Sequence, residues 1–395
     1  MAADDYLLTD VHPRGFDGPV DVRVERGRIA AIGPRLVRGV TPVVEGRGRA
    51  VLPGLVEPHL HLDKAMLGSG GAQDLDDAVA VTAAAKAGFT PDDVRRRATD
   101  VLGRAHRNGT TLIRTPVDVD PTVGLASLDV LLALREEWAD RIAIQVVAFP
   151  QEGIAARPGT GDLLVEALRR GADVIGACSY AEDDVDGCRT HVREVLDLAE
   201  RFGVPVDVHA DFADGGGATD PRHDLAADIA AMTRAAGLQG RVVLGHVTTL
   251  AGLGPDRRRR TADALAGAGV GVVVLPPTDL YLISASAPVA ELRAAGVRVA
   301  FSSNNVRNAF TPYGTADVLD TALLLAHMQA VALDTLLDMG TSTAAGLLDV
   351  AGHDLAPGSR ADLVLLDGDD VHTAVLDRAQ RSHARDGAGS RHPAE

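Results

Sequence analysis

Short apolar runs alternate with longer segments of helical character through the middle of the chain. The predicted strands cover residues 51–56, 110–115, 142–149, 173–178, 204–209, 241–245, 270–275 and 297–301. A typical helical segment is TPDDVRRRATDVLGRAHRNG, in which we expect Thr90 as the N-cap, Pro91 as the first helical residue and Gly109 as the stop. Eight β–α units in series predict a (β/α)₈ barrel of the TIM type over residues 51–356.

The two ends of the chain have a different pattern. The N-terminal runs PVDVRVERGRIAAIG and TPVVEGRGRA have strand character, and LAPGSRADLVLLDGDD near the other end is a strand bounded by turn residues. We therefore expect residues 1–50 and 357–377 to form one small β-sandwich domain. Residues 378–395 lack periodicity and are expected to be a disordered tail.

Composition narrows the functional classes. A net charge of −16 disfavours nucleic acid and anionic membranes as partners. No apolar run is long enough to cross a bilayer, and the acidic start MAADDYLLTD does not resemble a secretory signal. Cys178 and Cys188 are the only cysteines, so a disulfide framework is not expected and the cytoplasm is the expected compartment. The expected partner is a small-molecule substrate, with homo-oligomerisation left open.

Histidines follow several of the predicted strands. In a barrel of this type, chemistry lies at the carboxyl ends of the strands. His59 and His61 follow strand 1 in PHLHLDK, His209 ends strand 5 in DVHADF, and His246 follows strand 6 in LGH. Side chains two residues apart share a strand face, so two imidazoles there can bind one cation. A packing role is the simpler interpretation of any one histidine, but the four together favour a site.

The segments VLPGLVEPHLHLDK, VAFPQEGI, GADVIGA, DVHADF, GHVTTL and SSNNVRNAFTPYG extend this picture. Together they resemble the cytosine deaminase branch of the amidohydrolase superfamily, which also includes aminohydrolases of triazine rings such as N-isopropylammelide. The resemblance covers nearly the whole chain and implies a barrel, a β-sandwich built from both termini, and one divalent metal ion, zinc or iron. Strand 4 ends in GACSY without a lysine, so the carboxylated lysine that bridges two metals in other relatives is absent.

The resemblance also implies roles for single residues. His59, His61 and His209 correspond to the metal-binding histidines, and His246 corresponds to the histidine that orients the attacking water. Gln151 corresponds to the glutamine that contacts the amide edge of the ring. A hydrogen bond at a helix start is the simpler alternative for Gln151.

Three positions depart from the family pattern. Phe212 stands where the family has a glutamate, Asn304 where it has an aspartate, and Pro116 where it often has a histidine. The aspartate normally contacts the metal and takes the proton of the attacking water, and the glutamate passes that proton to the ring. Neither Asn nor Phe can do this, and losing one such group costs about 10²–10⁴ in rate. We therefore expect the metal to be bound weakly or to be absent.

Other groups are candidates to replace the missing carboxylates. Asp211 is two residues from His209 and is either a replacement catalytic group or a partner that holds an imidazole in one tautomer. Lys64 and Asn305 are expected at the substrate site together with Phe212, although a simple pair between Lys64 and Asp63 is the more ordinary interpretation. The sequence does not rank four further candidates, Asp118, Asp120, Asp279 and Tyr281.

These observations support three functional hypotheses. The first is a hydrolase of a C–N bond in a cyclic amide, amidine or N-heterocycle, that is, a deaminase or ring hydrolase. The second is a lyase, isomerase or cyclase, since Asn304 and Phe212 suit a pocket in which attack by water is suppressed. The third is a non-catalytic small-molecule binder on the same barrel, because fold alone does not decide function. The four histidines and VAFPQEGI favour the hydrolase.

Overall fold

The computed structural model describes residues 5–213 and 220–389. Within these residues the strands are β1 Tyr6–Pro13, β2 Val20–Glu25, β3 Arg28–Gly33, β4 Val43–Pro53, β5 Leu55–Glu57, β6 Thr110–Asp118, β7 Ala143–Phe149, β8 Val174–Cys178, β9 Val206–Ala210, β10 Val242–His246, β11 Gly271–Val274, β12 Val299–Phe301, β13 Leu363–Leu366 and β14 Arg381–His383. The α-helices are α1 Leu75–Lys86, α2 Pro91–Arg107, α3 Ala126–Trp138, α4 Thr160–Arg169, α5 Val185–Phe202, α6 Ala226–Ala235, α7 Pro255–Gly267, α8 Pro276–Thr278, α9 Val289–Ala294, α10 Val318–Gln329, α11 Leu333–Met339, α12 Ser342–Leu347, α13 Val371–Leu376 and α14 Ala384–Gly389. Short 3₁₀ turns lie at Pro221–His223 and Thr248–Gly252, and one π-helical turn at Asp279–Ile283.

Strands β5 to β12 form one eight-stranded parallel sheet in chain order. The strands of such a sheet are covered on both faces, which is why they read as nearly continuous apolar runs. Helix α2 begins as predicted, because Thr90 accepts a hydrogen bond from the Asp93 N–H and Pro91 follows it. The predicted (β/α)₈ barrel is confirmed.

The first barrel strand is shorter than predicted. Residues 51–53 belong to β4 in the other sheet, and only Leu55–Glu57 lies in the barrel. Gly54 separates the two strands, and a Cβ atom there would lie 2.0 Å from the Thr111 hydroxyl. One continuous apolar run therefore forms two strands that belong to different sheets. The hydrophobic pattern alone does not show where the first strand ends and the second begins.

The barrel closes between β5 and β12 beside the histidines of the first strand. The Leu60 and Asn304 backbones form an isolated parallel bridge, and the His61 N–H donates to the Asn304 carbonyl at 2.8 Å. The buried Glu57 carboxylate accepts hydrogen bonds from the Ser302 hydroxyl and from the backbone and hydroxyl of Ser303. Burial raises the pKa of Glu57. This closure fixes the backbone on both sides of His59 and His61.

The chain ends form one six-stranded sheet in the order β14-β13-β4-β1-β2-β3. Strands β1 and β4 pair in parallel, and the other neighbours are antiparallel. The small β domain built from both termini is confirmed. Its boundaries at residues 50 and 357 stay predictions, and β4 runs across the first of them.

The expectation of a disordered tail is wrong for the described residues 378–389. Strand β14 pairs with β13, and α14 follows it. Arg381 contacts Asp317 at 2.7 Å, and His383 stacks on His106 with ring centroids 4.0 Å apart. These contacts join residues far apart in the chain, so local periodicity does not reveal them. Residues 390–395 lie outside the described residues.

None of the described helices has the length and apolar character needed to cross a membrane.

Candidate metal centre and active site

Three histidines meet at the carboxyl end of the barrel. One ring nitrogen from each of His59, His61 and His209 lies within 4.8 Å of the corresponding atoms of the other two. Nε2 of His59 is 2.7 Å from Nε2 of His209. All three side chains are buried. His209 lies in β9, whereas His59 and His61 lie just after the end of β5.

A carboxylate orients the first histidine. Nδ1 of His59 lies 3.0 Å from Oδ1 of Asp207, which precedes His209 by two residues in β9 and shares its strand face. Asp207 also lies 3.5 Å from an Arg114 guanidinium nitrogen. Burial alone would raise the pKa of Asp207, but His59 and Arg114 together hold it below the usual value. A carboxylate on the far nitrogen is the usual partner of a metal-binding histidine. Asp207 was not among the predicted site residues, although its position in DVHADF was the available signal.

The donor set suits a divalent cation. Burial is the largest influence on the pKa values of His61 and His209 and lowers both well below the usual value, so the rings are neutral near pH 7. Neutral imidazole is the form that binds metal ions, and three histidines are a known catalytic zinc set. The close approach of two Nε2 atoms also matches rings that converge on one point. His59, His61 and His209 therefore fit one ion.

Asn304 follows β12 and points a neutral amide into the site. Its backbone has φ of 59°, a conformation that Asn tolerates better than most residues. Nδ2 donates to the Thr278 hydroxyl at 2.8 Å, and that hydroxyl is 2.6 Å from the hydroxyl of Thr311. Oδ1 is buried without a hydrogen-bond partner among the described residues. The Asn304 amide oxygen is therefore a hydrogen-bond acceptor without a partner among the described residues, at the position where the family pattern has a carboxylate.

His246 pairs with a buried carboxylate. Nδ1 of His246 is 2.7 Å from Oδ1 of Asp279, whose Oδ2 accepts the Leu275 N–H at 3.0 Å. Burial lowers the pKa of His246 and raises that of Asp279. The Phe212 ring stacks on the imidazole with centroids 3.8 Å apart. The sequence left Asp279 unranked, and the structure gives it contact with a site histidine.

The expectation of a catalytic Asp211 requires correction. Its two carboxylate oxygens accept the N–H groups of Leu225 and Ala226 at 2.8 and 3.0 Å, at the start of α6. Strand β9 ends at Ala210, and Asp211 has φ of 50°. Face alternation stops at the end of the strand, so Asp211 does not share the face of His209. Burial raises the pKa of Asp211 to about 7.

Lys64 also has a different partner from the simplest expectation. Its ammonium contacts Asp118 at 2.7 Å and Oε1 of Gln151 at 3.2 Å, rather than Asp63. The Asp63 carboxylate instead accepts the backbone N–H groups of Lys64 and Asp118. Oδ1 of Asn305 accepts a hydrogen bond from Asn308 at 2.7 Å.

One narrow cavity collects these side chains. Every predicted site residue except His59 and Asp211 lines it. The other lining residues, which were not predicted, are Leu75, Val79, Tyr180, Thr278 and Phe310. The cavity volume is about 20 Å³, close to the space one water needs. A larger cavity of about 540 Å³, bordered by Tyr281, Tyr313 and Leu324, contains none of the four site histidines. Pro116 lies buried within β6.

Comparison with known proteins gives a consistent result. Residues 43–386 match the model of the Amidohydrolase family. The N-isopropylammelide isopropyl amidohydrolase of a Pseudomonas species is 26% identical over 95% of this chain and 94% of its own. The pterin deaminase of Rhizobium rhizogenes is 30% identical over 89% of this chain and 84% of its own.

A solved structure agrees with these sequence matches. The 5-methylcytosine deaminase of Klebsiella pneumoniae, liganded with 5-fluorocytosine, superposes with a TM-score of 0.88 and 27% identity, covering 96% of each chain. The barrel, the small sheet and the histidine cluster therefore agree with the similarity in sequence, and the chain belongs to the amidohydrolase family.

Proposed function

We propose that this protein is a metal-dependent hydrolase that breaks a C–N bond of an N-heterocycle or cyclic amide, as a deaminase or ring hydrolase. The observation that carries the proposal is the arrangement of His59, His61 and His209 beside the His246–Asp279 pair in one buried site. The relatives named above are deaminases and a hydrolase, which argues against the lyase, isomerase, cyclase and binder alternatives.

The three histidines would hold one divalent ion, zinc or iron. When bound, such an ion lowers the pKa of a coordinated water and polarises a substrate group. Asp207 keeps Nε2 of His59 directed toward the cluster, and Asn304 offers a neutral oxygen where an anionic ligand is usual. We expect the ion to be retained less firmly than with a carboxylate at position 304.

The His246–Asp279 pair is the proposed proton-handling unit. Hydrolysis forms a C–O bond and breaks a C–N bond, and a proton from water must reach the departing nitrogen. Nδ1 of His246 faces Asp279, so Nε2 is the atom available to take and return that proton. Asp279 fixes the tautomer, and Phe212 covers one face of the ring. His246 and Asp279 would thus carry out the proton transfer that a glutamate and an aspartate carry out in the family pattern.

The substrate needs more room than the described cavity offers. Small-molecule sites usually have volumes of about 300–1,000 Å³, far above the value of about 20 Å³ found here. Helix α1 contributes Leu75 and Val79 to the cavity wall. Gly68, Gly70 and Gly71, all with positive φ, precede this helix. We therefore propose that α1 moves outward when a substrate enters.

Metal content and product release test the proposed function together. The metal-loaded protein would be offered aminopyrimidines, amino-substituted triazines and pterins, with release of ammonia or amine measured. We expect turnover on at least one class, and loss of turnover in His61→Ala. Stoichiometric metal without release from any class would contradict the proposal.

A further inference from the structure

We propose that Thr278 and Thr311 are positioning residues, which hold the Asn304 amide with its oxygen toward the three-histidine cluster. The inference rests on the proposed function, because it concerns the ion that these histidines would hold. It deepens that function by assigning the residues that make a neutral amide usable at the position where the family pattern has a carboxylate. Metal affinity measures this positioning without any substrate.

The Asn304 side chain has two chemically different ends. Its amide oxygen accepts hydrogen bonds and can contact a cation, whereas its NH₂ group can only donate. A carboxylate presents an oxygen whichever way it turns, but an amide must be held in one of two orientations. Asn304 is buried and lines the same cavity as His61 and His209. The orientation of the amide therefore determines whether the cluster faces an oxygen or an N–H group.

The Thr278 hydroxyl holds the nitrogen end of this amide. Nδ2 of Asn304 donates to the hydroxyl at 2.8 Å, and Oδ1 has no hydrogen-bond partner among the residues that the structure describes. A buried amide oxygen without a partner costs free energy, so another group must compensate for it. A cation held by the histidines would be such a group. Thr278 therefore leaves the oxygen end of Asn304 for the ion.

Thr311 determines whether the Thr278 hydroxyl can donate or only accept. A hydroxyl has one hydrogen and two acceptor lone pairs. The hydroxyl oxygens of the two buried threonines are 2.6 Å apart. When Thr278 donates to Thr311, it has no hydrogen left for Asn304 and can only accept from Nδ2. Thr311 also borders the cavity of about 540 Å³, where its own hydrogen has room for another acceptor. The threonine pair thus selects the amide orientation in which the oxygen is free.

The turn after β11 places Thr278 beside a second positioning group. Thr278 and Asp279 are consecutive, and their backbone N–H groups both donate to the Leu275 carbonyl, at 3.0 and 2.9 Å. The Thr278 side chain contacts Asn304, and the Asp279 side chain contacts His246. One backbone turn therefore orients the amide and the imidazole together.

Threonine-to-valine changes test the assignment, because valine has a similar shape but no hydroxyl. The affinity of the full chain for zinc would be measured by competition with a chelator, without substrate. We expect Thr278→Val to lower this affinity by about three- to tenfold, since Nδ2 loses the acceptor that holds the amide oxygen toward the ion. Thr278→Ser keeps a hydroxyl and should keep most of the affinity. Thr341→Val is the matched control, because the buried Thr341 hydroxyl donates to the Leu337 carbonyl at 2.6 Å outside this cavity. This control should leave the affinity unchanged.

The effect of Thr311→Val should depend on the residue at position 304. With Asn304, loss of the Thr311 hydroxyl frees the Thr278 hydrogen to donate to the amide oxygen, which then competes with the ion. Zinc affinity should fall by about two- to fivefold. In Asn304→Asp, the same hydrogen can donate to the carboxylate oxygen that is not on the ion, so Thr311→Val should cause no fall. A fall of equal size in both proteins, or no fall with Asn304, would overturn the role of Thr311.

The Asn304→Gly variant separates positioning from general stability. Asn304 has φ of 59°, which glycine adopts without strain, so this change removes the amide and preserves the backbone conformation. If Thr278 acts through the amide, Thr278→Val should cause no further loss of zinc affinity in Asn304→Gly. An equal loss with and without the amide would overturn the inference, as would failure of the unchanged protein to bind zinc. Zinc binding with the expected dependence on Thr278, but without release of ammonia or amine from any substrate class, would count against the proposed hydrolysis alone.

Discussion

The site has a metal-binding half around His59, His61 and His209 and a proton-handling half around His246. The two halves differ in how the barrel strands position their side chains. His209 and Asp207 lie within β9, where side chains alternate, and this alternation aligns them toward His59. His246 and Asn304 instead occupy strand-end positions with φ of 71° and 59°. The first half follows the family pattern, and the second departs from it at Phe212 and Asn304. Regular strand geometry thus aligns Asp207 with His209, whereas the strand ends accommodate different chemistry.

Removing a metal ligand should disrupt the metal-binding half and cause the largest loss of metal affinity and turnover. In His209→Ala two histidines remain, fewer than the three protein ligands of catalytic zinc sites. We expect the loss of metal affinity to exceed the ~10–100-fold typical of losing a residue outside the ligand set, and turnover to fall with it. Metal content by mass spectrometry is the measurement. His327→Ala, which changes an exposed helical histidine, is the control and should retain the metal.

The same division separates the features that were predictable from the sequence from those that were not. The histidine cluster and the barrel were predictable because the spacing of His59 and His61 and a repeated β–α unit are visible in the local sequence. Asp211 was misplaced because its left-handed backbone lies beyond the end of β9. The Lys64–Asp118 pair joins residues 54 positions apart, and nothing local signals it. Long-range ion pairs and irregular strand ends account for what the sequence did not reveal.

Changing Asp279 should affect the proton-handling half alone. In Asp279→Asn the carboxylate that raises the pKa of His246 is lost, so the imidazole pKa falls further below its usual value of about 6.5. His246 must be neutral to accept a proton. Because its pKa falls in the variant, the acid limb of the kcat/KM profile should move to lower pH. The rate on the plateau should also fall, by about 10–100-fold, as for other residues that orient a site histidine.

The pH profile is informative only if the metal remains bound. Metal content should match that of the unchanged protein, and Asp256→Asn, at an exposed surface pair with Arg259, should leave the profile as it was. If the acid limb of the profile does not move in Asp279→Asn, His246 is not the base.

Asn304→Asp should bring the two halves closer to the family pattern. An anion would replace the open amide oxygen beside the three histidines, and the Thr278 hydroxyl can turn to donate to it. We expect metal affinity to rise roughly tenfold, equivalent to ~1.4 kcal/mol. Competition with a chelator measures this change. Adding Phe212→Glu should raise deaminase activity further than either change alone, because one proton would then pass through both groups. Unchanged metal retention in Asn304→Asp would mean that this position lies outside the ligand set.

Opening the cavity should give the smallest effect. Leu75→Ala removes apolar bulk that α1 contributes to the cavity wall. If α1 must move for entry, this change should lower KM by a few-fold with little change in metal content. Steady-state kinetics on the substrate found in the panel would measure it. Leu376→Ala, at an exposed position outside the site, is the control. A higher KM in Leu75→Ala would indicate that Leu75 contacts the substrate.

The most direct test of the account is His246→Gln with metal content and single-turnover rate measured on the same sample. His246 belongs to the proton-handling half, and its Nδ1 pairs with Asp279 rather than joining the three-histidine cluster. We expect unchanged metal content and a rate lower by about 10²–10⁴. Loss of the metal together with the rate, or a rate that survives the change, would contradict it.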